Sequence, residues 1–244
     1  MRIPVSIMCV FVLLFSCELA PKEASKKKKK TVLNGVKEYF KDGKLLSRVT
    51  YVNNSKEGLS TSYYDNGAVN MEINYSNNKK NGPYTWYYEN GKVYQEGNYV
   101  DNEKQGVEKK YHKNGKLQSV AEWVDDEPAK GLKEYYPSGK LKPAPKIVFE
   151  EVNTIKLDGK YQLKMYLSNK NKYATFYESE LEDGKYIPSY LVPIPSRKGV
   201  ATLEHYLSPG QFIMRTITIS AKMKTRYKNY YVLEQKFNVA VENR

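Results

Sequence analysis

The sequence predicts an all-β chain in which an elongated antiparallel sheet of repeated hairpins is followed by a small β-sandwich. Three observations lead there. Aromatic residues and glycines recur every 24 residues between positions 35 and 145. The stretches between them alternate apolar and polar residues with the period of two expected of strands with one wet face. Residues 146–244 then drop the repeat and break into short β-prone runs separated by turn signals. Composition agrees, since 23 Tyr against 7 Phe and 2 Trp suits surfaces that are half solvated. No apolar run reaches the roughly 18 residues needed to span a bilayer as a helix.

Residues 1–16 read as an export signal, with Arg2 as the positive end and Val5–Phe15 as a short apolar core. The run Leu14-Phe15-Ser16-Cys17 resembles the lipobox of bacterial lipoproteins, although Phe15 is bulkier than the usual residue. That resemblance implies acylation of Cys17 and attachment to a lipid membrane in the bacterial cell envelope, with the outer membrane favoured over the inner. Several acyl chains on one cysteine hold more firmly than a single reversible chain. Cys9 would be removed with the leader. Residues 17–34 carry the Lys26–Lys30 run, which repels itself and stays solvated, so they are expected to form a lysine-rich tether.

Within residues 35–145 the repeat is visible in several columns. Gly43, Gly67, Gly91, Gly115 and Gly139 keep the step, as do Tyr39, Tyr63, Tyr87, Tyr111 and Tyr135. So do Phe40, Tyr64, Tyr88, His112 and Tyr136, and then Leu45, Val69, Val93, Leu117 and Leu141. A second glycine series, Gly35, Gly58, Gly82, Gly106 and Gly131, drifts slightly and suggests looser turns. Asn66-Gly67, Asn90-Gly91 and Asn114-Gly115 predict two-residue type I′ hairpin turns, with Asp42-Gly43 and Ser138-Gly139 in the same slot. Such turns would pair Phe40 with Leu45, Tyr64 with Val69, Tyr88 with Val93, His112 with Leu117 and Tyr136 with Leu141.

The motif Tyr87-Tyr88-Glu89-Asn90-Gly91-Lys92, in a unit opened by Gly82, resembles the bacterial variant of the MORN repeat. The resemblance implies a β-hairpin array. Some proteins with this repeat are assigned to the antitoxin half of toxin–antitoxin pairs.

The tyrosines Tyr39, Tyr63, Tyr87, Tyr111 and Tyr135 are expected to project among Thr61, Thr85, Lys109 and Lys133, opposite the apolar face. They are the candidate binding residues, because tyrosine offers a large contact area with a hydrogen-bonding tip. The apolar face, with Tyr64, Ile73, Trp86, Tyr88, Val93 and Trp123, must be covered by curling, by a partner or by the C-terminal module.

After Pro143-Ala144-Pro145, residues 146–244 predict seven runs: 146–152, 161–167, 173–180, 190–194, 200–206, 212–222 and 229–241. Seven strands in this length suggest a two-sheet sandwich, immunoglobulin- or transthyretin-like.

A formal charge of +13 raises nucleic acid as a partner, but outside the tether the basic residues are spread out and the leader exports the chain. Nucleic-acid binding is not expected. His112 reads as a substituted ladder residue, Glu204-His205 lacks a nucleophile or second acid nearby, and Asp125-Asp126-Glu127 lacks the ligand spacing of a calcium loop. No catalytic residue, metal or cofactor is expected. The functional expectation is a membrane-anchored envelope lipoprotein that acts as a non-catalytic binding or scaffold module for another envelope protein or a glycan. The alternative is an immunity- or antitoxin-like protein that occludes a toxin.

Overall fold

The computed structural model describes residues 32–244. The expected leader, Cys17 and the lysine run lie outside the described residues. Residues 33–244 form one compact unit.

The repeat region is a meander. Strands β1 (Gly35–Lys41), β2 (Lys44–Val52), β3 (Ser55–Tyr63), β4 (Val69–Ser76), β5 (Lys79–Tyr87) and β6 (Val93–Val100) pair in sequence order, each antiparallel to the last. The short β7 (Glu103–Lys104) and β8 (Gly106–Tyr111) continue on β6, followed by β9 (Leu117–Val124). Two short strands, β10 (Glu127–Pro128) and β11 (Lys133–Glu134), both pair with β9 and end the sheet.

The turns differ from the sequence expectation. At Asn66-Gly67 only the glycine has positive φ, and Gly67 N–H donates to the Tyr64 carbonyl while Tyr64 N–H donates to Ala68. The loop therefore holds three residues, a β-turn followed by a glycine bulge, and the same bonds recur at Tyr88–Lys92, His112–Lys116 and Tyr136–Lys140. The cross-strand pairs move one residue earlier, to Tyr63–Val69, Tyr87–Val93, Tyr111–Leu117 and Tyr135–Leu141. Of the five predicted hairpin turns only Asp42-Gly43 is a two-residue turn with both φ positive, and only there does the expected pair, Phe40–Leu45, form.

Within the repeat sheet the other two-residue turns with paired positive φ are Asn53-Asn54, Asn77-Asn78, Asp101-Asn102 and Asp125-Asp126. Asn and Asp tolerate the left-handed region because their short polar side chains bond locally. Here they also lock one unit to the one before. Asn78, Asn102 and Asp126 donate their N–H to the carbonyls of Lys56, Lys80 and Lys104, and their side-chain oxygens accept the N–H of the same lysines at 2.8 Å. Asn102→Ala is expected to lower stability by about 2 kcal/mol, from a left-handed alanine plus one lost hydrogen bond. Asn102→Gly, which keeps the backbone free, should lose about half of that in urea unfolding.

The second glycine series does not make turns. Gly58 and Gly82 take positive φ inside strands, where Glu57–Leu59 oppose Thr50 alone and Asn81–Pro83 oppose Asn74 alone. These bulges locally increase the twist of the sheet.

The C-terminal region has β12 (Ile147–Thr154), a single helical turn α1 (Ile155–Asp158), β13 (Lys160–Leu167), β14 (Thr175–Glu178), β15 (Ser196–Arg197), β16 (Val200–Tyr206), β17 (Phe212–Lys224) and β18 (Tyr230–Glu242). One sheet has the order β12-β13-β16-β15 and the other β14-β17-β18. Lettered A to G along the chain, this is ABED against CFG, the partition of a seven-stranded immunoglobulin-type sandwich. Strand β13 alternates strictly, sending Tyr161, Leu163, Met165 and Leu167 into a core shared with Phe176, Ile217, Ile219 and Val239. The run 190–194 is not a strand. Pro193 and Pro195 remove donors there, only Ile194 bridges to Phe176, and β15 takes the D position.

The sandwich core also takes in Ala121 and Leu132 from the end of the repeat sheet. The C-terminal module thus covers part of the apolar face. Further along that face the array buries its own residues, Ile73 and Tyr84, with the Tyr84 and Tyr99 rings 4.7 Å apart.

Candidate functional site

The two faces of the repeat sheet have different chemistry. The outer face carries the column Arg48, Glu72, Glu96 and Val120, one residue per 24-residue step. Against it lie the tyrosines. The Tyr87 hydroxyl donates to Glu72 at 2.7 Å and the Tyr111 hydroxyl to Glu96 at 2.6 Å, while Arg48 donates to Tyr63 at 3.3 Å. Each ring is therefore tied to the preceding unit and held in one orientation. Tyr135 falls where the column holds Val120, which has no group to bond its hydroxyl. Beside the tyrosines, Leu59, Pro83 and Val107 form a second exposed row at the same step.

Tyr39 does not join this ladder. The two-residue turn at Asp42-Gly43 is one residue shorter than the later loops, so β1 is shifted by one step and its side chains change faces. Glu38 pairs with Arg48 on the outer face instead, and Tyr39 meets the Tyr51 hydroxyl at 2.9 Å.

The next column is a set of staples between units. The hydroxyls of Tyr64 and Tyr88 donate to the carbonyls of Tyr87 and Tyr111, and His112 Nε2 meets the Tyr135 carbonyl at 3.0 Å. His112 thus takes over the position of a tyrosine. A third set places Lys56, Lys80 and Lys104 over the rings of Tyr75, Tyr99 and Trp123, 4.2–5.1 Å from the ring centres.

Burial, reinforced by the bond to Glu96, pushes the Tyr111 phenol up to about 12. A phenol raised by folding adds stability below its unfolded value near 10, and that stability is lost as pH climbs through the folded value. Tyr111→Phe should lower stability at neutral pH by about 1 kcal/mol. It should also fall off less steeply than the parent above pH 10, which thermal unfolding at several pH values would measure.

The inner face contains a buried polar cluster that the sequence reading missed. Glu108 on β8 is 2% exposed. Its carboxylate accepts from Tyr84 at 2.7 Å, Gln95 at 2.9 Å and Lys104 at 2.6 Å, and it lies 3.4 Å from the Lys110 ammonium. Lys110 donates to Asn229 of the sandwich at 2.7 Å, and Asn229 and Thr225 both donate to Glu134 of β11. Lys142 lies 3.6 Å from Glu134 and 3.6 Å above the Tyr227 ring. Burial alone drives the Glu108 carboxyl up, but Lys104 and Lys110 more than reverse this and hold it below its ordinary value. Burial pulls the Lys110 ammonium down, partly offset by Glu108. The cluster welds the array to the sandwich. Its signal in the sequence was parity, since Glu108 and Lys110 stand 24 residues after the inward Tyr84 and Trp86.

Of the remaining polar groups noted in the sequence, Asp125-Asp126 forms a unit-locking turn and Glu127 pairs with Lys222 of β17 at 3.0 Å. Glu204 pairs with Lys160, and His205 stacks on Tyr161.

No curated protein matches the chain. Residues 36–53, 56–77, 80–101 and 104–125 each match the family described as MORN repeat variant. The matched segments coincide with the units defined by the Asn and Asp turns, and the hairpin around Ser138-Gly139 repeats their loop geometry beyond the last match. The chain therefore carries four MORN repeat variants in tandem, docked at their C-terminal end onto a two-sheet sandwich.

Proposed function

We propose that this chain is a non-catalytic binding module of the bacterial cell envelope. Acylated Cys17 anchors it to a membrane, and the outer face of its repeat sheet contacts an elongated envelope protein or a glycan. The observation that carries this reading is the row Tyr63, Tyr87 and Tyr111, each ring fixed by a bond to the unit before. At two strands per unit the rings stand about 10 Å apart. A rigid, evenly spaced row of tyrosines beside an exposed apolar row suits a partner that is itself extended. Preorganised rings also lose little freedom on binding.

The test is capture of partners from detergent-solubilised envelopes by the full chain, compared with a Tyr63→Ser/Tyr87→Ser/Tyr111→Ser variant. Partners are expected to be captured by the parent and lost from the variant. Unchanged partner lists, with the variant still folded by circular dichroism, would overturn it. Labelling with a clickable fatty acid tests the anchor separately, and Cys17→Ser should abolish the label.

A further inference from the structure

The charge of the sandwich is segregated between its two ends. At one end three loops come together: 168–174 after β13, the Lys198-Gly199 turn between β15 and β16, and 225–229 between β17 and β18. Their proximity is built in. A Cβ on Gly199 would collide with the Asn171 carbonyl, and Asn169 reaches Met223 at the end of β17. These loops contain Lys170, Lys172, Lys198, Arg226 and Lys228 and no carboxylate, and Lys224 and Arg197 flank them.

Among the described residues none of those seven cations forms an ion pair. At the opposite end Lys160, Arg215, Lys236 and Arg244 pair with Glu204, Glu178, Glu180 and Glu242. The basic end is therefore uncompensated, while the other is largely neutralised. Lys170 and Lys198 moreover sit in the left-handed region at φ 52° and 53°, a conformation that costs a non-glycine residue about 1 kcal/mol.

Apolar groups stand among these charges. Tyr173, near the end of the 168–174 loop, is 86% exposed, and Tyr166 and Val200 line a shallow hollow of about 340 Å³ rimmed by Lys170, Lys172 and Lys198. We infer that the 168–174 and 198–199 loops of this end dock on the surface of an anionic phospholipid bilayer, while the 225–229 loop beside them is held by the repeat sheet. Lysines supply attraction to headgroup phosphates, and a protruding tyrosine is suited to the headgroup layer. The predominance of lysine over arginine sets the surface apart from a nucleic-acid groove, where arginine and rows of rings stack on bases. The surface is separate from the tyrosine row and does not depend on the partner proposed for it.

The experiment is vesicle co-sedimentation of the full chain carrying Cys17→Ser, with Lys26–Lys30 replaced by serine so that neither acyl group nor tether contributes. Vesicles of phosphatidylcholine alone are compared with vesicles containing phosphatidylglycerol. Binding is expected only to the latter and should weaken as salt rises. Lys170→Ser/Lys172→Ser/Lys198→Ser should reduce partitioning about a hundredfold, at the usual contribution of a lysine near an anionic surface. Lys160→Ser/Arg215→Ser/Lys236→Ser removes equal charge from the other end and should change it by less than about threefold. Tyr173→Ser should weaken binding while leaving its salt dependence intact. Equal losses in the two triple variants, equal binding to both vesicle types, or tighter binding to a soluble polyanion such as duplex DNA would overturn the inference.

Discussion

Glu108→Ala is expected to destabilise the chain by about 3–5 kcal/mol, the range for removing one partner of a buried charge cluster. The loss has three parts. Lys110, buried between β8 and the sandwich, is left with Asn229 but without its carboxylate. Tyr84 loses the acceptor that fixes its ring, and Lys104 keeps only its position over Trp123. Urea unfolding measures the effect. Adding Lys110→Met should restore part of the loss, since it removes the unpaired charge rather than a contact. The pH dependence gives an independent check. Glu108 is held below its ordinary value in the folded chain, so its contribution is complete above the unfolded value and disappears as pH falls through the folded one. The stability difference between the parent and Glu108→Gln should therefore shrink as the pH drops below about 4.

Gly97→Val should have an effect of similar size, about 3 kcal/mol, for a different reason. Gly97 has ordinary extended backbone, so conformational freedom does not explain it. A Cβ at this position would lie 2.7 Å from the Tyr84 hydroxyl and 2.9 Å from two of its ring carbons. The glycine is the space through which the Tyr84 side chain crosses β6 to reach Glu108. Along the inner face, Ser60 beside Ile73 and Tyr84 beside Gly97 alternate small with large, and the branched side chain breaks that alternation. Thermal unfolding should show the drop. Tyr84→Leu in the same background should recover part of it, because the shorter side chain no longer needs the gap.

These two positions explain what the sequence made legible. The 24-residue step and the strand alternation arise from features each unit shares, such as the Tyr63, Tyr87 and Tyr111 column, and they led directly to the hairpin sheet. Glu108 belongs to a column reading Ser60, Tyr84, Glu108 and Leu132, whose members share a place but no chemistry. A search for recurring residue types passes over it. The turns are not legible in the same way, because Asn-Gly suits a two-residue turn and also ends a three-residue loop, and bulges absorb the difference in length without altering the repeat. The shift of β1 that removes Tyr39 from the ladder follows from that one-residue difference. In the sandwich, six of the seven strand runs are readable from alternation and 190–194 is not, but the docking of the 225–229 loop depends on contacts such as Lys110 to Asn229, 119 residues apart in sequence.

The turn locks joining Asn78 to Lys56, Asn102 to Lys80 and Asp126 to Lys104 make each unit hold its neighbour by the same means. A duplicated or deleted block of 24 codons would re-form every such junction and leave no mismatched seam, provided the stretch from Tyr84 to Glu108 stays intact beside the sandwich. The array can thus change its reach in whole increments, as a ruler does, while the weld at one end keeps its chemistry.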